Sequence, residues 1–309
     1  VTKSGIVMGL WPIAGITTVG VTKDAARETI RAAVEAGVTT FDTAYSYGYD
    51  GESDRLLGEF VRAERDRFTV MGKVGQRWTP DRRRVVDGSS RQLIADAEES
   101  LARMKLDQFD LLYLHSPDPN VPLEESAAAM ESLRARGLCR QLGVCNVSPP
   151  QLDQLASRMD LHAIQCPLNL VQTDSIATLI DPCRSVGRSV YTYWALMKGL
   201  LAGKISRDHV FAEGDSRPGY AIYQGQPRQA IHDMLDQLSL IARQFGQSVA
   251  QLAVGWVISQ PGVTGALVGA RRPEQIRELA GARPMDAELL AAVNRVADPT
   301  RRRVEDALP

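Results

Sequence analysis

The chain has 309 residues, 44% of them hydrophobic and 24% charged, which is the usage of an ordinary globular protein. Lys+Arg 36 against Asp+Glu 37 leaves a net charge of -1, so charge nominates neither a nucleic acid nor a membrane partner. No apolar run approaches the ~20 residues of a membrane span and nothing at the N-terminus reads as a signal peptide, so the expectation is a cytoplasmic, enzyme-sized globule.

Short β-like runs alternate with helical patterns along the chain. Ile6–Leu10 reads as a strand and Lys23–Ala36 as a helix closed by Gly37. Thr39–Ala44 and Gly51–Ala63 repeat that pair. Phe68–Val74 follows, then a charged insertion over Gln76–Gly88 carrying Arg77, Trp78 and Arg82–Arg84, then the helix Ser90–Met104. The insertion's charge run is expected to be a solvated face.

The pattern continues as strand Phe109–His115, helix Leu123–Arg136, strand Gln141–Asn146 and helix Pro149–Ser157. Strand Ala163–Pro167, helix Asp174–Ser185 and strand Ser189–Trp194 come next. A long loop, Gly203–Pro227, precedes two helical stretches, Gln229–Phe245 and Val249–Ser259. Strand Gly265–Gly269 and helix Pro273–Ala280 complete the series. A structureless loop of that length is uncommon unless functional, so Gly203–Pro227 is a candidate lid or cofactor clasp. Most of the strand runs are continuously apolar, as in a parallel sheet buried on both faces. Eight such units predict an α/β protein of one domain over residues 1–309, a single (β/α)8 TIM barrel. Cys139, Cys145, Cys166 and Cys183 form no C-x-x-C pair and read as reduced structural thiols.

Chemistry in such a barrel sits where strands end at the C-terminal face. Those ends carry Asp42 and Tyr47, then Lys73, then His115. Singly, each has an ordinary structural explanation. Jointly they are harder to dismiss, because a strand-embedded Lys73 needs a nearby anion and Asp42 on the adjacent strand can supply it. The logic of the group is proton donation by a phenol. An unperturbed Tyr has a pKa of ~10, too high to protonate a developing alkoxide well, and an adjacent ammonium lowers it. A His beside it can hydrogen-bond a carbonyl oxygen. No metal-ligand spacing, G-x-G-x-x-G, P-loop or G-x-S-x-G competes, so no metal is expected and a nicotinamide would not be held in the Rossmann manner.

The runs FDTAYSYG (Phe41–Gly48), VMGKVG around Lys73 and DLLYLHSPD (Asp110–Asp118) resemble the aldo-keto reductases. GVCNVS (Gly143–Ser148), Gln165, Tyr191–Lys204 and GARRPEQI (Gly269–Ile276) match later landmarks of that family in the same order. The resemblance implies that Tyr47 is the general acid, Lys73 its neighbour, Asp42 the lysine's partner and His115 the group that orients the carbonyl. It implies that Asn146 and Gln165 bond the nicotinamide carboxamide and that Tyr193 stacks on the ring. Leu196, Lys198 and Leu201 would wrap the pyrophosphate, and Gly269, Arg271 and Gln275 the adenosine end. Cys145 stands where the family usually has Ser, Ala195 where Pro is common, and Leu279 where Asn often meets the adenine.

Arg271 and Arg272 beside the ribose would favour a 2′-phosphate, hence NADP(H) over NAD(H), with NAD(H) still possible. The implied activity is interconversion of a carbonyl (aldehyde, ketone or aldose) and an alcohol. Trp11, Trp78 and Trp194 are candidate substrate walls, with Tyr49, Tyr220 and Tyr223 beside them. The expected partner is a small carbonyl or sugar. The alternative is a nicotinamide-binding, redox-sensing or channel-associated subunit with little turnover. A barrel isomerase, the third reading, lacks its metal or phosphate site.

Overall fold

Along every strand, inward and outward side chains alternate, and that alternation decides what can reach the site. The computed structural model describes residues 5–15 and 20–305, so both ends of the expected 1–309 span lie outside the described residues. β1 (Ile6–Gly9) leads to α1 (Lys23–Glu35), whose first turn is capped by the Thr22 hydroxyl accepting from the Ala25 amide at 3.2 Å. β2 (Thr40–Asp42), α2 (Glu52–Val61) and β3 (Thr69–Val74) follow. Next come the antiparallel pair β4 (Gln76–Trp78) and β5 (Arg84–Val86), then α3 (Ser90–Met104). β6 (Phe109–Leu114), α4 (Leu123–Ala135), β7 (Cys139–Cys145) and α5 (Pro149–Ala156) continue the series. After β8 (Leu161–Pro167), a π-helical turn over Ile176–Ile180 runs into the short α6 (Asp181–Ser185). β9 (Ser189–Tyr193), α7 (Gly225–Gln244), α8 (Val249–Ile258), β10 (Val263–Gly269), α9 (Pro273–Ala280) and α10 (Ala287–Glu305) complete the described chain.

Eight of these strands close into a parallel barrel in the order β1, β10, β9, β8, β7, β6, β3, β2, the expected (β/α)8 architecture. Its interior is filled by Val7, Met71, Leu111, Tyr113, Ala163, Tyr191 and Leu267, while Phe41, Val70, Phe109, Leu112 and Val144 point outward against the helices. Two glycines are fixed by close approach. A Cβ on Gly143 would stand 2.4 Å from the Tyr113 ring, and one on Gly269 would stand 2.5 Å from Pro12. The first makes room for a tyrosine inside the barrel, and the second lets β10 end against the β1 loop. The four cysteines are buried and free, as expected of structural thiols.

Three expectations need correction. The Gln76–Gly88 insertion is the ordered β4–β5 hairpin rather than a plain loop, while its Arg82–Arg84 run is exposed, as expected of a solvated face. Gly203–Pro227 is not structureless: 3-10 turns form over Arg217–Gly219 and Ala221–Tyr223, and α7 already begins at Gly225. Beyond Ala280, where the sequence pattern suggests no element, α10 packs along α7, and the Trp256 indole donates to Asn294 Oδ1 at 2.8 Å. Pro299 and the Arg301–Arg303 run blur the helical pattern there.

Because Gly143 shares its space with a fully buried Tyr113, Gly143→Val is expected to destabilise the barrel by about 1–3 kcal/mol through overpacking. A lowered urea midpoint relative to wild type checks it.

Candidate active site

The inward parity that puts Met71 inside the barrel also points Lys73 inside, one step nearer the C-terminal rim. By the same parity β2 aims Asp42 inward, β6 continues Leu111 and Tyr113 to His115, and β8 aims Gln165 inward. Asp42 pairs in register with Met71, and Lys73 with Tyr113, so the side chains converge at one level. Asp42, Lys73, Gln165 and His115 are all buried, whereas the Tyr47 ring is half-buried.

Lys73 Nζ forms a short ion pair with Asp42 and donates to the Thr43 carbonyl at 3.2 Å and to the Tyr47 hydroxyl oxygen at 3.0 Å. Gln165 Nε2 donates to the other Asp42 oxygen at 2.7 Å. Both carboxylate oxygens are therefore engaged, and the lysine directs its three donors at three acceptors. Burial would lower the Lys73 pKa, but Asp42 outweighs it and holds the ammonium above its ordinary value. The resulting cation is fixed against the phenol oxygen.

Tyr47 departs from the sequence expectation. Burial pushes its pKa up to about 12, and Lys73 only partly offsets that rise. Lys73 acts in the expected direction, but desolvation wins, so the phenol is protonated at neutral pH. Since Lys73 donates to the Tyr47 oxygen, the phenol proton is free to point elsewhere. His115 is shifted the opposite way. Burial first, then Lys73 and Arg84, hold its pKa well below the ordinary value, so the imidazole is neutral. Its ring centroid lies 6.0 Å from that of Tyr47, and Nδ1 is buried without a partner among the described residues.

Asn146 adopts a left-handed φ of 56°, donates to the His115 carbonyl at 2.8 Å and accepts from the Tyr193 hydroxyl at 2.7 Å. Trp194, Met197 and Lys198 are also left-handed, at φ 65°, 45° and 53°. Four of the six described non-glycine residues with positive φ thus fall at or beside expected site residues (Asn146 and Lys198 as cofactor contacts, Trp194 as a substrate wall, Met197 next to Lys198), and such strain clusters at functional sites. Tyr223 is buried rather than a substrate wall, and its hydroxyl donates to the Met197 and Lys198 carbonyls at 3.0 and 3.1 Å. It braces the turn from beneath.

Leu201 is buried with its amide on the Leu196 carbonyl at 3.1 Å, whereas the Leu196 and Lys198 side chains are half-buried. Lys198 lies over the Tyr220 ring at 4.2 Å, and Tyr220 meets Trp194 edge-on at 5.6 Å. The Gln275 side chain accepts from the Arg271 amide at 2.8 Å. Arg271 forms no ion pair among the described residues, and burial, then Arg217 and Arg272, depress its pKa. A desolvated cation without a counter-ion beside the glycine end of β10 suits an anionic group, so the residues fit a phosphate-bearing nucleotide. Leu279 is buried in the core.

Trp11 meets Tyr47 edge-on at 5.1 Å, and Trp78 meets Tyr49 at 5.1 Å while its indole donates to the Ser46 carbonyl at 2.8 Å. Sequence reasoning missed Thr43, Ser116 and the Gln165–Asp42 bond. Gln165 lies 123 positions from Asp42, and only β-register brings them together. Among the described residues no group of three or more His, Cys, Asp or Glu could hold a metal ion. No helix of the described residues is long and apolar enough to cross a membrane.

Comparison with known proteins adds the family. The model described as the aldo/keto reductase family matches residues 5–298. The chain belongs to the aldo/keto reductase family. It is 33% identical over 279 residues to aldo-keto reductase YhdN of Bacillus subtilis (strain 168), covering 89% of this chain and 84% of that protein. It is 30% identical to the L-glyceraldehyde 3-phosphate reductase of Escherichia coli (strain K12), covering 88% and 81%. The solved structure of the glycerol dehydrogenase AKR11B4 from Gluconobacter oxydans superposes with a TM-score of 0.87 at 30% identity, covering 96% of this chain and 91% of that one. Membership makes the chain a reductase-type oxidoreductase of carbonyl and alcohol groups.

The buried Asp42–Lys73 pair carries a stability cost when broken. Asp42→Asn leaves a buried ammonium without its anion and is expected to cost about 3–5 kcal/mol. Chemical unfolding of the variant against wild type measures it.

Proposed function

We propose that this member of the family interconverts an aldehyde, ketone or aldose and the corresponding alcohol, with Tyr47 as the proton donor and NADP(H) as the preferred nicotinamide. The observation that carries the reading is the Tyr47 hydroxyl held by a buried, Asp42-paired Lys73 beside a neutral His115. When bound, the nicotinamide supplies or accepts the hydride.

The chain's own residues do the rest. A carbonyl oxygen entering between Tyr47 and His115 meets two neutral donors. His115, kept uncharged, hydrogen-bonds that oxygen without competing for the proton. Tyr47 transfers its proton as negative charge develops, and the Lys73 ammonium at 3.0 Å stabilises the phenolate left behind. Asp42 and Gln165 keep the ammonium in place. Asn146, Gln165 and Tyr193 hold the nicotinamide end, with Gln165 contributing its carbonyl because its amide is given to Asp42. The backbone of the Leu196, Lys198 and Leu201 turn receives the pyrophosphate. Gly269, Arg271 and Gln275 receive the adenosine, with Arg271 on a 2′-phosphate. Trp11, Trp78 and Trp194 wall the substrate. The relatives are named for both directions, reductase and dehydrogenase, and the site's symmetry of proton donor and acceptor supports either.

Tyr47→Phe is expected to bind NADPH as wild type does, measured by nucleotide fluorescence, while turnover falls about 10²–10⁴-fold. A phenol with a pKa near 12 keeps its proton below that pH, and a depressed His115 does not titrate near 6.5. Carbonyl reduction should therefore be flat from about pH 6 to 9, whereas alcohol oxidation, which needs the phenolate, should rise with pH. Full activity of Tyr47→Phe would exclude the mechanism.

Arg271→Ala is expected to weaken NADPH binding about tenfold or more with little change for NADH, since only NADPH offers the charged partner. Parallel titrations with both nucleotides decide it.

A further inference from the structure

The β4–β5 hairpin carries Trp78 at the catalytic face, and three of its arginines form no ion pair among the described residues. It leaves β3 two residues after Lys73 and is tied down on both flanks. Gln76 Nε2 donates to Ser116 Oγ at 2.7 Å, and the Trp78 indole donates to the Ser46 carbonyl at 2.8 Å. Those acceptors belong to the segments after β6 and β2, the two strands flanking β3, so the hairpin is tied to the rim beside His115 and Tyr47.

Four arginines sit on it. Arg83, at the turn, is satisfied by Asp81 at 2.6 Å. Arg77, Arg82 and Arg84 form no ion pair among the described residues. They are held instead by aromatic faces. Arg82 lies 4.6 Å from the Tyr49 ring centroid, and Arg84 lies 5.9 Å from that of Trp11. Arg77 donates to the Tyr45 hydroxyl at 3.3 Å. Trp11 in turn contacts Tyr47, so the Arg84 guanidinium stands one indole away from the proton donor. A cavity of about 560 Å³ opens at the hairpin, lined by Tyr49, Arg77, Trp78, Thr79, Pro80 and Arg82.

We propose that Arg84, on a hairpin tied to the rim beside the catalytic group, selects carbonyl substrates that carry a carboxylate or phosphate a few bonds from the reacting carbon. The inference rests on the oxidoreductase reading above and adds the substrate's charge to it. A guanidinium presents a planar fork to either oxyanion, and an aromatic face holds it oriented without neutralising it. Arg84 is also near enough to His115 to help keep that imidazole neutral, after burial and Lys73.

The test compares kcat/KM for matched carbonyls with and without the anion. One arm uses 3-carboxybenzaldehyde against its methyl ester, and the other uses glycolaldehyde phosphate against glycolaldehyde. The preference of one arm over the other names the oxyanion. Wild type is expected to favour the anionic member of at least one pair by about tenfold, mainly through KM, and added salt should shrink that ratio. In Arg84→Gln the ratio should fall toward one, and Arg84→Lys should retain part of it. A ratio near one in wild type, or one that survives in Arg84→Gln, overturns the proposal while leaving the oxidoreductase reading intact. Absence of turnover with every carbonyl in either direction overturns both.

Discussion

The ion pair of Lys73 with Asp42 is the interaction on which the rest of the site depends. Both groups are buried at the rim of a barrel whose interior is otherwise apolar and aromatic. Neither charge could remain there alone, because the desolvation cost of an unpaired ion exceeds what packing returns. Gln165 on one side and the Thr43 carbonyl on another take up the remaining hydrogen-bonding capacity. One lysine donor is left for Tyr47. The phenol is therefore positioned by a charge that has nowhere else to go.

That arrangement explains why two neighbouring groups are shifted apart from their ordinary values. The same low-dielectric surroundings raise Tyr47 and depress His115, so both are neutral, as the proposed mechanism asks of them. On the proposed mechanism the lysine acts less by acidifying the free phenol than by stabilising the phenolate once the proton has left. Charge separation is thus favoured at the moment it develops.

Much of this was legible in the sequence because a β-strand has a period of two. The spacing of Met71 and Lys73, and of Leu111, Tyr113 and His115, places the chemical residues on the same face as the barrel's filling. The long apolar strands made the barrel legible for the same reason. Other features depend on information that spacing does not carry. The Gln165–Asp42 bond is a matter of register between distant strands. The Tyr47 shift is set by burial, which no single residue announces. β4 and β5 are three residues each and rich in arginine, so they offer neither the length nor the alternation that marks a strand. Tyr223 reads as a rim aromatic until its hydroxyl is found under the Met197–Lys198 turn.

The bracing of that turn has a consequence of its own. Consecutive left-handed residues at Met197, Lys198 and Gly199 are costly in a free chain, and here one tyrosine hydroxyl, shared between two carbonyls, holds them. The 3-10 turn that supplies Tyr223 belongs to the segment leading into α7, not to the barrel wall. The strained backbone and its support are therefore tethered to different parts of the scaffold. The support of the strained turn therefore depends on a loop rather than on any barrel strand.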